Sequence, residues 1–181
     1  QIIAQAAAEA SARGLPSVIA VTDRVGNVLA VYRMTGANEA LSVPEPPGPN
    51  FDLQGLNLPA PAARAGAIAK AVTGAYLSSG GNAFSTRTAS EIVQEHFPPA
   101  PTTVGLESGP LFGVQFSSLP CSDLVSRFNA GGGPGARIGP QRTPLGLSAD
   151  PGGFPLYRDG VVIGGVGVMG DGIYGFDPNR L

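Results

Sequence analysis

Residues 152–170 read GGFPLYRDGVVIGGVGVMG, and a run of this kind has few places to go except the middle of a sheet. Asp159-Gly160 between β-forming residues is a strong hairpin signal, because glycine takes the positive φ that the tight turn requires. One strand is expected over 154–157, with 158–160 as the turn and a longer return strand over 161–169. In that return strand Val162, Gly164, Val166 and Val168 fall on one face, and Val161, Ile163, Gly165, Gly167 and Met169 on the other. Two apolar faces predict a strand covered on both sides and central in its sheet. Glycine inside a strand costs stability, so Gly165 and Gly167 point to a close approach by another backbone or a ligand. The partner expected there is the Ala-rich segment 62–78, whose small side chains let a helix lie close.

Upstream, Ile2, Ile3, Ala6, Ala7 and Ala10 recur at helical spacing. Gly14-Leu15-Pro16 ends that helix, with glycine just past the last turn and proline after it. SVIAVTDRVGNVLAVYRM gives a second hairpin, with strands over 17–22 and 28–34 joined by 23–27. Residues 37–61 carry Pro44, Pro46, Pro47, Pro49, Pro59 and Pro61 without periodicity, and are expected to form a loop. Within the Ala-rich helix Ile68, Val72 and Tyr76 stand four residues apart, and Ser79-Gly80-Gly81-Asn82 stops it. Thr88-x-x-Glu91 has the spacing of a capping box and is expected to open a short helix through His96, ended by Pro98-Pro99. Residues 98–152 hold one strand-like run, LFGVQFSSL, amid loop chemistry that includes GGGPG at 131–135. Loops of such length tend to be functional or to form interfaces. Apolar side chains in the two insertions, among them Phe51, Leu53, Phe112 and Phe116, are expected to pack on the domain body or on a partner.

At 181 residues the chain is expected to be one domain, 1–181, carrying the insertions 37–61 and 98–152. Only 13% of its residues are charged and the net charge is −2, so the basic footprint of a nucleic-acid binder is missing. No apolar run reaches transmembrane length, so membrane insertion is not expected. The sole cysteine, Cys121, excludes an internal disulfide and a Cys-based zinc centre. The chain opens at Gln1 inside a helix and stops at PNRL, so further residues are expected at both ends, a signal peptide among them.

Few side chains here carry chemistry. His96 is the only histidine, and neither HExxH nor CxxCH occurs. A neutral imidazole suits iron, so His96 is the candidate axial haem ligand; the competing role is a helix-end histidine facing backbone carbonyls. Cys121 follows an apolar run, as a buried inert thiol does. Ser118, His96 and Asp123 could be written as a triad, but no GxSxG elbow supports one. GGGPG and the strand glycines lack the Lys-Ser/Thr of a phosphate loop, which leaves close packing as their role. Asp171, Asp177 and Asn179 offer oxygen ligands for calcium, though turn-forming residues look the same. Arg33, Lys70, Arg87 and Arg142 are the cations suited to a carboxylate ligand or to haem propionates, unless surface or internal pairing uses them.

The order of helix, VTDRVGNVLAVYRM hairpin, AIAKA helix and GGFPLYRDGVVIGGVGV resembles the GlcG/HbpS-like haem-binding family over 1–36, 62–97 and 152–177. Gly152-Gly153-x-Pro155-Leu156 and Gly160-x-x-x-Gly164-Gly165-x-Gly167-Val168 carry most of the likeness, and the long loops resemble an exported branch. The resemblance implies an α/β (α+β) domain of profilin/PAS-like form: a central antiparallel sheet with helices on both faces and a further C-terminal helix. It implies self-association, a C2 dimer being the commonest form, and association with other subunits of a complex. It also implies a periplasmic or secreted location, with haem bound in some members. The function expected is binding of haem or another small ligand rather than catalysis, with His96, Arg33, Lys70 and Arg87 as the binding residues. The alternative is a structural subunit of an extracytoplasmic complex without a cofactor.

Overall fold

The computed structural model describes residues 1–43, 55–93, 109 and 145–175. In chain order the elements are α1 (Ile2–Ala12), β1 (Val18–Asp23), β2 (Val28–Arg33), β3 (Leu41–Ser42), β4 (Asn57–Leu58), α2 (Ala62–Leu77), α3 (Thr86–Ile92), β5 (Gly153–Arg158) and β6 (Val161–Met169). Two hairpins, β1–β2 and β5–β6, join into one antiparallel sheet of order β2-β1-β6-β5. The glycine-rich return strand is therefore interior, as its two apolar faces require. Asp159 and Gly160 turn the second hairpin with φ of 52° and 77°, the pair of positive φ values that matches the twist of the strands. Pro155 is accommodated because β5 is an edge strand, where a missing N–H breaks no ladder bond.

Helices cover both faces, so the α+β architecture holds. On one face Ile2, Ile3, Ala6 and Ala7 of α1 pack against buried Ile19, Val21 and Val166. The end of α1 is fixed locally: Gly14 takes φ 64°, its N–H donates to Ser11 O, and Leu15 N–H donates to Ala10 O, which is the Schellman arrangement. On the other face Ala63, Ala67 and Ala71 of α2 meet Val18, Ala20 and Met169. A Cβ built at Gly165 would collide with the carbonyl oxygen of Ala71, and one at Gly167 with that of Ala67. One at Gly74 of α2 would stand 2.7 Å from the carbonyl carbon of Phe154 in β5. Helix and sheet thus approach backbone to backbone, and the small residues on each side make this contact possible.

Three features differ from what the sequence pattern alone suggests. Leu156 pairs with Gly164 and Tyr157 with Val162, which leaves Ile163 unpaired in a bulge. Strict alternation stops there: Val162 is buried, while Val161 and Ile163 are exposed, so only the second half of β6 is covered on both faces. Within 37–61, Leu41 and Ser42 pair antiparallel with Leu58 and Asn57, and Ser42 also bridges Ile173, so this stretch is not wholly a loop. Finally, α3 begins three residues earlier than the capping-box spacing indicates. Ser85 is its N-cap and accepts the Thr88 N–H at 3.3 Å, while Thr86 is drawn into the core, where its hydroxyl oxygen accepts the Gly153 N–H at 2.8 Å.

Candidate functional site

The only lysine of the chain lies on the face of α2 that α2's alanines and glycines pack against the sheet. Lys70 extends beneath the re-entry of the chain into β5, with 3% of its side chain exposed. Its ammonium stands 2.5 Å from Asp150 Oδ2 and donates to Val168 O at 3.1 Å. Gly152, at φ 118°, lets the chain pass this point: a Cβ there would stand 3.3 Å from Lys70 Nζ and run into Val168 O. Burying a charge costs several kcal/mol unless it is paired, so the ion pair is a condition of placing Lys70 here at all.

Around the pair sits a polar cluster. Ser148 N–H donates to Thr73 Oγ1 at 2.7 Å, and that hydroxyl donates to Ala69 O at 2.7 Å. Asp150 N–H donates to Ser148 Oγ at 3.2 Å. Burial pushes the Asp150 carboxyl up to about 6, against the Lys70 ammonium, which pulls it down; Asp171 adds a further upward push. Burial likewise pushes the Tyr174 phenol up. Among the described residues three buried side-chain oxygens have no hydrogen bond: Thr22 Oγ1, Asp150 Oδ2 and Tyr174 Oη. Lys70 and Asp150 Oδ2 form a close, buried ion pair. Ser148 pulls the Tyr174 phenol down, against its burial.

Of the four residues nominated as a binding set, Lys70, Arg33 and Arg87 lie among the described residues. Lys70 is sequestered by Asp150. Arg33, in β2, pairs with Glu39 at 3.1 Å, and Glu39 also takes Arg64 at 2.7 Å. Arg87 is an exposed residue of α3 without an ion pair among the described residues. His96 lies outside the described residues, as do Arg142, Cys121, Ser118, Asp123, Asp177, Asn179, the run LFGVQFSSL and GGGPG. Asp171 has a turn role, its carboxylate accepting the Ile173 N–H at 3.1 Å. Among the described residues no group of three or more His, Cys, Asp or Glu gathers as a metal site would, and no helix is long and apolar enough to cross a membrane.

Sequence reasoning missed Asp150, Ser148 and Tyr174. A lone lysine inside a run of alanines was the available signal, since a buried ammonium must have a carboxylate somewhere. Nothing local to Ser148-Ala149-Asp150-Pro151 marks that carboxylate as the one.

The described residues also form an open cleft of about 350 Å3. Leu41, Leu58 and Pro59 supply its apolar wall, and Asn38, Ser42, Asn57 and Asp171 its polar groups. Haem needs an axial ligand and cations for its propionates. This lining offers a carboxylate and amides but no histidine, cysteine, methionine, tyrosine, lysine or arginine, so it does not fit haem. Its volume is that of a small polar ligand, near the lower end of the roughly 300–1,000 Å3 usual for ligand pockets.

A four-stranded antiparallel sheet with a helix on each face and a buried ion pair under its second helix defines an α+β domain of the class that the sequence resemblance implied. Residues 1–41 match the family model described as "Haem degrading protein HbpS-like", which supports that resemblance over the first helix and hairpin. No curated protein matches the chain. Two solved structures are similar over most of its length. One is the crystal structure of Klebsiella pneumoniae protein ORFY, of family DUF336, at 20% identity and TM-score 0.46, covering 94% of this chain and 73% of that one. The other is the crystal structure of a PduOC:heme complex, at 19% identity and TM-score 0.44, covering 91% of this chain and 73% of that one.

Proposed function

We propose that this chain is an HbpS-like binding domain whose ligand is haem or another small carboxylate-bearing molecule, working as an oligomer outside the cytoplasm. The observation that carries this reading is the match of residues 1–41 to the HbpS-like family model. Haem follows from that family's description. Of the cations nominated for its propionates, Arg87 is the one whose side chain is exposed and outside any ion pair among the described residues. Lys70 contributes from inside the fold, by holding the approach to β5, and not as a ligand-binding cation. The deciding experiment is a haem titration of the full-length protein followed at the Soret band. Saturation at a fixed stoichiometry, with a shifted maximum in His96→Ala and weakened affinity in Arg87→Ala, is the expected result. A featureless titration with only the spectrum of free haem would end the haem reading.

A second reading is favoured by the engagement of Lys70 and Arg33 in internal ion pairs and by the exposure of Val28, Leu29, Val31 and Tyr32 along the edge strand β2. In it the domain is a structural subunit of an extracytoplasmic complex and holds no cofactor. Light scattering separates the two: a stable assembly that takes up no haem supports the structural subunit.

A further inference from the structure

The sheet has two edges, β5 and β2, and only one of them is closed. On β5 the Val168 N–H donates to Gly152 O, so by alternation along the ladder the main-chain groups of Gly153 and Pro155 point outward. The Gly153 N–H is taken by Thr86 Oγ1 at 2.8 Å, and Pro155 has no N–H to offer. Proline on an edge strand is one way in which a sheet is kept from pairing further. β2 has no such guard. Its sequence is Val28-Leu29-Ala30-Val31-Tyr32-Arg33, and every residue but Ala30 is exposed. The Met34 N–H donates to Ser17 O at 3.0 Å, so Ile19–Tyr32 is the next hydrogen-bonded pair and the N–H and C=O of Val31 and Arg33 face away from β1. Among the described residues nothing takes them up. The one charge in the strand, Arg33, is already paired with Glu39 at 3.1 Å, so two copies of β2 can meet without setting bare guanidinium groups against each other.

We propose that β2 pairs antiparallel with β2 of a second copy about a twofold axis at Val31, so that two four-stranded sheets run on as one. This register sets Val31 against its own copy and the Tyr32 ring across from the small Ala30 of the partner subunit, an arrangement in which both pairs stay on their own face of the sheet. Val31 shares the α2 face with Ala20, and Tyr32 the α1 face with Ile19. A bulge leaves Leu29 without a β1 partner and ends the regular part of β2, so the ladder between copies is short. Such a contact belongs to the small class of interfaces, below about 1,200 Å2 in total, and a dimer in exchange with monomer is expected. The proposal rests on the reading of the chain as an oligomer and is independent of haem.

Sedimentation equilibrium of the full-length protein across the micromolar range reads the association. Val31→Lys places two ammonium groups face to face at the axis. Val31→Pro gives β2 the gap that Pro155 gives β5, and leaves the ladder to β1 intact. Each should raise the dissociation constant about tenfold or more, while Val161→Lys, an exposed site at the second hairpin turn, should leave it unchanged. Val31→Cys, with Cys121→Ser to remove the only other thiol, should form a disulfide-linked dimer on oxidation, because directly opposed Cα atoms stand about 5.5 Å apart. A monomer at every concentration overturns the edge pairing and the oligomer reading together. An assembly unmoved by Val31→Lys, or one that Val31→Cys does not cross-link, overturns the edge pairing alone, whether or not Val31→Pro folds.

Discussion

Against α2 the sheet presents glycine and the helix presents alanine, whereas against α1 the gap is filled by isoleucine and valine. Ala63, Ala67 and Ala71 are wholly buried, and Gly165 and Gly167 bring the strand so close that main-chain oxygens of the helix occupy the space a side chain would need. On the α1 face Ile19 is wholly buried, yet Ile2, Ile3, Ala6 and Ala7 are only partly so. One face is thus spaced by backbone and the other by side chains. Side chains can change rotamer to absorb a mutation. A carbonyl oxygen bonded within a helix can move only by moving the helix.

The sharpest way to break this contrast is to add a side chain where none fits. Gly165→Val and Gly167→Val should each destabilise by about 3 kcal/mol, the upper end of what overpacking a core costs, or more. A urea midpoint unchanged in both would show that α2 can lift away and that the face is not backbone-limited. Ile3→Ala tests the other face. It should cost about 1–2 kcal/mol, below the range for a fully buried isoleucine, because Ile3 is only partly covered. A loss larger than that from Gly167→Val would reverse the order of the two faces. Gly81→Ala sets the baseline. A Cβ there meets nothing within 4 Å and the backbone has no positive φ, so this change should be neutral or stabilise by up to about 1 kcal/mol. A loss above about 1 kcal/mol would mean that the glycines of this chain resist substitution for reasons other than packing.

What the sequence discloses is what short stretches determine for themselves. Asp159-Gly160, Gly14-Leu15-Pro16 and the spacing of Ile2, Ile3, Ala6 and Ala7 specify turn, cap and buried stripe without outside help. The partnership of Gly165 and Gly167 with α2 is also legible, because two small-residue stripes in one chain have little else to do than pack together. The bulge at Ile163 is not, since it depends on the β5 partner. Nor is the start of α3: Ser85-x-x-Thr88 and Thr88-x-x-Glu91 compete on equal local terms, and the choice goes with Thr86, held by Gly153 across the fold. The same limit applies to the polar cluster. Lys70 is conspicuous in the sequence as a cation, but its reading as a ligand contact fails to foresee Asp150, eighty residues further along the chain. Arg33 and Arg87 are equally visible as cations, and only the fold distinguishes the one paired with Glu39 from the one left facing solvent.

The pairing of the strands also says which parts of the gene are free to change length. Val18 stands opposite Arg33 and Met169, and Gly153 opposite Gly167, at one end of the sheet; Asp23 opposite Gly164 and Arg158 opposite Val161 mark the other. The second end carries both tight turns, each tied to the register of its own hairpin. The link from α2 to α3 lies beside those turns, with Tyr157 Oη donating to Ser79 O at 2.7 Å, while the first end carries the segment after α1, the β3–β4 ladder, the re-entry at 145–152 and the exit at 170–175. Insertions or deletions outside the two hairpins therefore leave the ladder from rim to rim in step. An indel in either tight turn would shift a strand by a residue and turn its side chains inside out. Length variation in such a scaffold should spare the two tight turns.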